Sequence, residues 1–127
     1  PTIMLRSGRP MLVLGSPGGS TIITTVAQII VNIVDFGMSA GEAVASLRYH
    51  HQCLPDTVFF EQGAFSGRLV AALQGRGHSL KQRSAIGDAQ VIAVFDAVAC
   101  GSSDPRRGGE ARATRAGADG TGWDRKE

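Results

Sequence analysis

Two adjacent glycines, Gly18 and Gly19, lie in the turn "GSPGGS" (15–20), after a short apolar run and ahead of a long apolar segment. Glycines in such a turn leave backbone N–H groups accessible to a bound group. A turn that feeds a helix N-terminus puts those N–H groups where developing negative charge is stabilised. The chemistry this suits is an oxyanion hole, which steadies the tetrahedral intermediate of acyl transfer. The same residues also suit a tight corner where backbones approach closely, and the turn by itself leaves both readings open. Nucleotide binding finds no support. A phosphate loop needs Gly-x-x-x-x-Gly-Lys-Ser/Thr, and no lysine accompanies Gly15 and Ser20; Gly-x-Gly-x-x-Gly is also absent.

Other reactive side chains are less promising. His50 and His51 are adjacent, and neighbours on an extended segment point to opposite sides. His78 is far away in sequence, so a structural or surface role is expected and no metal site. No serine sits in a G-x-S-x-G elbow, and Thr2 follows Pro1, so it offers no free amine of its own as a base. Cys53 and Cys100 form no CxxC pair and no metal spacing. They read as two buried thiols, with a disulfide as the alternative. Arg106 and Arg107, in the turn-rich "GSSDPRRGGEA" (101–111), suit either a solvated loop or pairing with carboxylates elsewhere.

The elements that must position these groups follow from pattern. "TIMLR" (2–6) and "MLVLG" (11–15), joined by "SGRP", predict a β-hairpin. A helix is expected from an N-cap at Ser20 or Thr21 to about Phe36, ended by Gly37. Its isoleucines and valines are mediocre helix formers, so burial must hold it. Thr24, Thr25, Gln28, Asn32 and Asp35 interrupt it, so it reads as a buried core helix rather than a membrane span. Ser39 and Glu42 have capping-box spacing for a second helix that ends near Leu47. "RYHHQCLPD" is extended and "TVFFE" (57–61) is a strand. A third helix runs from Ser66 to Gln74, closed by Gly75 or Gly77. "SLKQRS" and "AQVIAVFDA" are two further strands around the turn "AIGD". The stretch after Cys100 is poor in apolar residues, and 114–127 is expected to be a flexible tail.

With 127 residues, 43% of them apolar and 19% charged, the chain suits one globular domain or a piece of one. A formal charge of +2, with no basic cluster interleaved with aromatics, does not suit a nucleic-acid partner. Helices mixed with strands make α+β layers the default architecture.

Four segments together resemble one family. "PTIMLRSGRPMLVLGSPGGSTIITTVAQIIVNIVDFGMSAGEAV" is similar to the small-subunit core of bacterial γ-glutamyltranspeptidases, also called glutathione hydrolases. "LRYHHQCLPD" resembles that family's "PRxHHQxLPD", "GRGHSLKQRSAIGDAQVI" its "GHxV…G.AQ.I", and "GSSDPRRGGEA" its "G.SDPR..G.A". Order and spacing agree across 1–113. The resemblance implies part of an N-terminal-nucleophile hydrolase, an αββα sandwich made by self-cleavage of a precursor into large and small subunits. It implies that the N-terminal threonine of the small subunit attacks a γ-glutamyl amide, with its own amine as base. The γ-glutamyl group passes to water or to an amino-acid or peptide acceptor, and no cofactor or metal takes part. Gly18 and Gly19 match the family's oxyanion-hole glycines. His50, His51, Gln52, Pro55, Asp56, Asp104 and Arg106 match positions read as structural.

The departures set limits. The family's nucleophile, and the serines that hold the substrate α-carboxylate, lie upstream of the "PTI" segment. No substrate-binding residue is therefore assigned here. Leu47 stands where the family usually has proline, and the residues beyond Ala113 depart from its usual "AxGY"-like ending. The expectation is the C-terminal part of a small subunit over 1–113. It would supply the oxyanion hole but no nucleophile, and be inactive alone. Expected partners are the large subunit, the remaining N-terminal part of the small subunit, and a γ-glutamyl substrate such as glutathione. The family's bacterial members imply a periplasmic or secreted location. The alternative is a non-catalytic remnant that acts as a binding or subunit-interaction module, with self-association covering its apolar surface.

Overall fold

The computed structural model describes residues 1–95 and 98–112. The short apolar runs Thr2–Arg6 (β1) and Arg9–Gly15 (β2) pair as the expected antiparallel hairpin. β2 also pairs with Gln90–Phe95 (β6), and β6 with Val98–Ser103 (β7). The result is a fully antiparallel four-stranded sheet in the order β1-β2-β6-β7. Register places Leu12 beside Ala93 and Leu14 beside Val91. These four side chains are buried and face Ile29 and Ile33 of the helix Thr21–Val34 (α1) and Ala40, Ala43 and Val44 of the helix Ala40–Ala45 (α2). Each buried leucine contributes about 1.5–3 kcal/mol, so this layer is where the hydrophobic stabilisation concentrates. Ile3, Val13 and Ile92 line up across the strands on the other face. Nothing among the described residues covers that face fully, and Ile3 is 61% exposed.

The expectation of a core helix holds on one side only. Thr21, Thr25, Ile29 and Ile33 recur every four residues and form the buried stripe of α1. Ile23, at 77%, and Val31 and Val34 are exposed, because the sheet and α2 pack on a single face. The helix is capped at its end by Asp35, and Gly37 takes the expected left-handed conformation at φ +66°.

α2 begins with the anticipated capping box. The Ser39 hydroxyl accepts from the Glu42 N–H at 3.3 Å, and the Ser39 N–H donates to the Glu42 carboxylate at 2.9 Å. The Ser39 hydroxyl and N–H hold that carboxyl below its ordinary pKa. Ser39→Ala is expected to destabilise the chain by about 1 kcal/mol, read as a lower urea midpoint with an unchanged slope.

A second sheet holds Tyr49–His50 (β3), Val58–Glu61 (β4) and Leu80–Arg83 (β5) in that order. β3 and β4 are antiparallel; β4 and β5 are parallel. Parallel neighbours need a crossover, supplied by the helix Gly67–Gly75 (α3), whose N-cap Ser66 accepts from the Leu69 N–H.

Three expectations are corrected. β5 and β6 do not flank "AIGD" as neighbours. β5 belongs to the second sheet and β6 to the first, so 84–89 carries the chain between sheets. β7 runs through "VACGSS", where glycine and serines disguise a strand; its pairing with β6 supplies what propensity does not. Cys53 and Cys100 are exposed free thiols, neither buried nor paired. Cys53 lies in a loop, and Cys100 on the edge strand β7, where little packs over it. The tail expected over 114–127 lies outside the described residues.

Candidate active-site turn and its supports

β2 ends at Gly15 and α1 starts at Thr21, so the glycine pair occupies the sharp passage from strand to helix. Gly18 has φ +141° and Gly19 φ +59°, both in the region that favours glycine. The Gly18 carbonyl accepts from the Thr21 N–H at 3.2 Å and the Thr21 hydroxyl at 3.0 Å; the Gly19 carbonyl accepts from the Ile22 N–H at 3.2 Å. Both carbonyls are thus committed to the first turn of α1. Among the described residues, the Gly18 and Gly19 N–H groups donate to no partner, and both residues are exposed. Ser20 occupies the N-cap position without a side-chain cap, leaving the positive end of the helix dipole open toward the turn.

The two glycines differ in what fixes them. A Cβ on Gly18 would run into the Thr21 hydroxyl and lie 3.7 Å from the Gly87 Cα. A Cβ on Gly19 would meet nothing within 4 Å. Gly18 is required by space and backbone conformation, Gly19 by conformation alone.

The segment 86–89 packs against this turn. Ser16 Oγ accepts from the Asp88 N–H at 2.9 Å and donates to the Pro17 carbonyl at 2.7 Å. Gly87, at φ +75°, sits so close that a Cβ there would meet Thr25 Oγ1 at 2.6 Å and Ser16 Oγ at 2.9 Å.

Behind that segment lies a buried charge cluster. Arg48 donates to Asp104 Oδ2 at 2.7 Å, to the Ile86 carbonyl at 2.8 Å and to the Val44 carbonyl at 2.7 Å. Glu61 accepts from the Arg48 N–H at 2.8 Å and the Ile86 N–H at 2.7 Å. Arg106 donates to both oxygens of Glu61, at 2.7 and 2.6 Å, and to Asp104 Oδ1 at 3.1 Å. Asp104 also accepts from the Ala89 N–H at 2.8 Å. Two guanidinium groups thus balance two carboxylates, as buried charges require. Burial pushes the Glu61 carboxyl up, but Arg106 and the two N–H donors outweigh it and leave it below the ordinary value. Burial likewise raises Asp104, and the Ala89 and Arg106 N–H groups with both arginines bring it below. Hydrogen bonding to Glu61 raises Arg106, whereas burial lowers Arg48; both remain guanidinium ions. Arg107, next in sequence, is exposed, so the pair divides between the two expected roles.

The two histidines separate as the extended geometry requires. His50 is buried, with Nδ1 2.8 Å from Thr24 Oγ1 and Nε2 2.9 Å from Gln52 Oε1, and it ties β3 to α1. His51 is exposed and 3.0 Å from Asp56. Neither reaches the glycine turn. From Gly15 and Pro17 a groove of about 850 Å³ crosses the open face of the first sheet toward Glu110 and Arg112.

Sequence reasoning missed Arg48, Glu61, Ser16 and Gly87. Two signals were available for the first pair: Glu61 ends the apolar run "TVFFE", and Arg48 follows the apolar end of α2.

The sequence profile described as Gamma-glutamyltranspeptidase matches residues 1–114. The "Glutathione hydrolase proenzyme" of Escherichia coli strain K12 is 45% identical over 107 residues, which are 84% of this chain and 18% of that protein. A solved gamma-glutamyltranspeptidase of Helicobacter pylori superposes with a TM-score of 0.80 at 40% identity, covering 84% of this chain and 59% of that one. The enzyme of Pseudomonas nitroreducens, complexed with L-DON, gives 0.83 at 37% identity, covering 91% and 61%. The chain therefore spans about a fifth of the curated proenzyme and three fifths of these solved chains. Its two sheets and helices are part of the α+β N-terminal-nucleophile hydrolase fold of those neighbours. A match of this extent, in sequence and in superposed backbone, means that the chain belongs to the gamma-glutamyltranspeptidase family.

Proposed function

We propose that residues 1–113 are the C-terminal portion of a γ-glutamyltransferase small subunit, and that Gly18 and Gly19 are its oxyanion-hole residues. The observation that carries this is the commitment of both glycine carbonyls to α1 while both N–H groups donate to nothing among the described residues. Attack on a γ-glutamyl amide places negative charge on the carbonyl oxygen. Two N–H donors about 2.7–3.1 Å from that oxygen stabilise it without reorganising.

The nucleophile comes from the upstream part of the small subunit, a threonine whose own amine takes the hydroxyl proton. The tetrahedral intermediate expels the amine of a substrate such as glutathione, which takes the proton held on the threonine amine and leaves a γ-glutamyl ester on the threonine. Water or an amino-acid or peptide acceptor then attacks that ester, gives its proton to the threonine amine, and the threonine oxygen leaves and regains the proton. The hydroxyl, the amine and the two N–H groups complete these steps without a metal or cofactor. The large subunit and the upstream segment are the partners, in a periplasmic or secreted enzyme.

N-terminal sequencing and intact mass of the protein as its own cell makes it test this proposal. The expected mature chain starts at a threonine well upstream of Pro1. The 127-residue chain alone is expected to release no product from a γ-glutamyl anilide; release at an enzyme-like rate would sink the assignment.

One observation favours the non-catalytic reading. The apolar row Ile3, Val13 and Ile92, with Leu5 and Val98 also exposed, suits self-association or a protein partner. A native chain starting near Pro1, dimeric or larger by sedimentation, would establish it instead.

A further inference from the structure

We propose that segment 86–89 braces the glycine turn, and that Ser16 is the positioning residue through which the brace fixes the Gly18 and Gly19 N–H groups. The effect on turnover rests on the oxyanion-hole reading above; the effect on the turn rests on geometry alone.

An exposed turn with two glycines in left-handed conformations has wide backbone freedom. The two carbonyl contacts to α1 anchor only its helical side. On its strand side the ladder ends where Gly15 faces Gln90, and beyond it the Ser16 hydroxyl joins the Pro17 carbonyl to the Asp88 N–H. Segment 86–89 can serve as a fixed point because buried charges grip it at both ends. Ile86 is held through its N–H by Glu61 and through its carbonyl by Arg48, and Ala89 is held through its N–H by Asp104. Between those grips, the missing side chain of Gly87 lets the segment close on Ser16 and Thr25, where a Cβ would meet Thr25 Oγ1 at 2.6 Å and Ser16 Oγ at 2.9 Å. A buried cluster of opposite charges thus supports the turn at one remove.

The test compares Ser16→Ala, Ser16→Thr and Gly87→Ala, with Ser39→Ala as a control that destabilises the chain without touching the turn. In amide proton–nitrogen spectra of the 127-residue chain, Ser16→Ala is expected to shift the Gly18 and Gly19 signals and to speed Asp88 amide exchange roughly 5- to 10-fold, the loss of one hydrogen bond. Ser16→Thr keeps the hydroxyl and should restore both. Gly87→Ala presses on the brace from the other side and should shift the same glycine signals, which serves if Ser16→Ala does not fold. In the complete protein, Ser16→Ala is expected to lower kcat roughly 10- to 100-fold with KM unchanged. Glycine signals that stay put, or that move equally in Ser39→Ala, overturn the brace. Signals that move while kcat holds leave the brace standing and overturn the oxyanion-hole assignment.

Discussion

With Gly18 and Gly19 as the proposed oxyanion hole, Gly18→Ala is expected to lower the turnover of a γ-glutamyl anilide by the proposed complete enzyme roughly 100- to 1,000-fold, the usual effect of losing one oxyanion donor. Alanine still carries an N–H, so the loss comes from displacement. At φ +141° the new Cβ would run into the Thr21 hydroxyl, which also anchors the Gly18 carbonyl. Relief of that clash turns the 18–19 peptide and re-aims its N–H. Gly19→Ala supplies the comparison. Its Cβ meets nothing within 4 Å, so it incurs only the left-handed cost of about 1–2 kcal/mol and keeps its N–H in place. A fall in kcat at steady KM for Gly18→Ala, well beyond that for Gly19→Ala, is the expected pattern. Equal small effects would mean that the glycines merely shape a corner.

Asp104→Ala is expected to cost about 3–5 kcal/mol, measured by urea unfolding of the chain, because it strands the buried Arg48 guanidinium and weakens the pairing of Arg106. Among the described residues, Arg48 would lose its only salt-bridge partner, and Arg106 one of its two. The Ala89 N–H would also lose its acceptor. The same cluster sets a pH dependence. Glu61 and Asp104 both titrate below their ordinary values in the folded chain. The unfolded chain therefore takes up protons first as pH falls, and each lost carboxylate charge then favours unfolding. The contribution is complete above the ordinary carboxylate range, about pH 4–5, and fades as pH falls toward the lower folded values. The urea midpoint should hold from pH 7 to about 5 and drop below 4. In Asp104→Asn that drop should be shallower. A midpoint insensitive to acid would rule out the cluster as a stabilising unit.

Ser39 and Glu42 show how far local chemistry reaches. A cap uses atoms within one helical turn, so spacing of three residues is enough to find it. The same holds for the hairpin of β1 and β2, the left-handed Gly37 and the opposite fates of His50 and His51. The turn that carries Gly18 and Gly19 was also legible, since strand, glycines and helix are contiguous. Resemblance over 1–113 added a role for them that composition and spacing left open.

Tertiary structure decided what depends on distant partners. The crossing of 84–89 from one sheet to the other looked like a hairpin turn, because turn residues do not say which strand follows into which sheet. β7 is a strand through its register with β6, despite its glycine and serines. The cysteines are exposed because of where an edge strand and a loop lie, which no spacing encodes. Arg48 and Asp104 meet across 56 residues, and Arg106 and Glu61 across 45. Buried ion pairs of that kind leave no periodic trace, since each charge is specified by the one that neutralises it rather than by its neighbours in the chain. The strand, the glycine pair and the helix that make the turn are neighbours in the chain, whereas folding alone brought the charges together behind it.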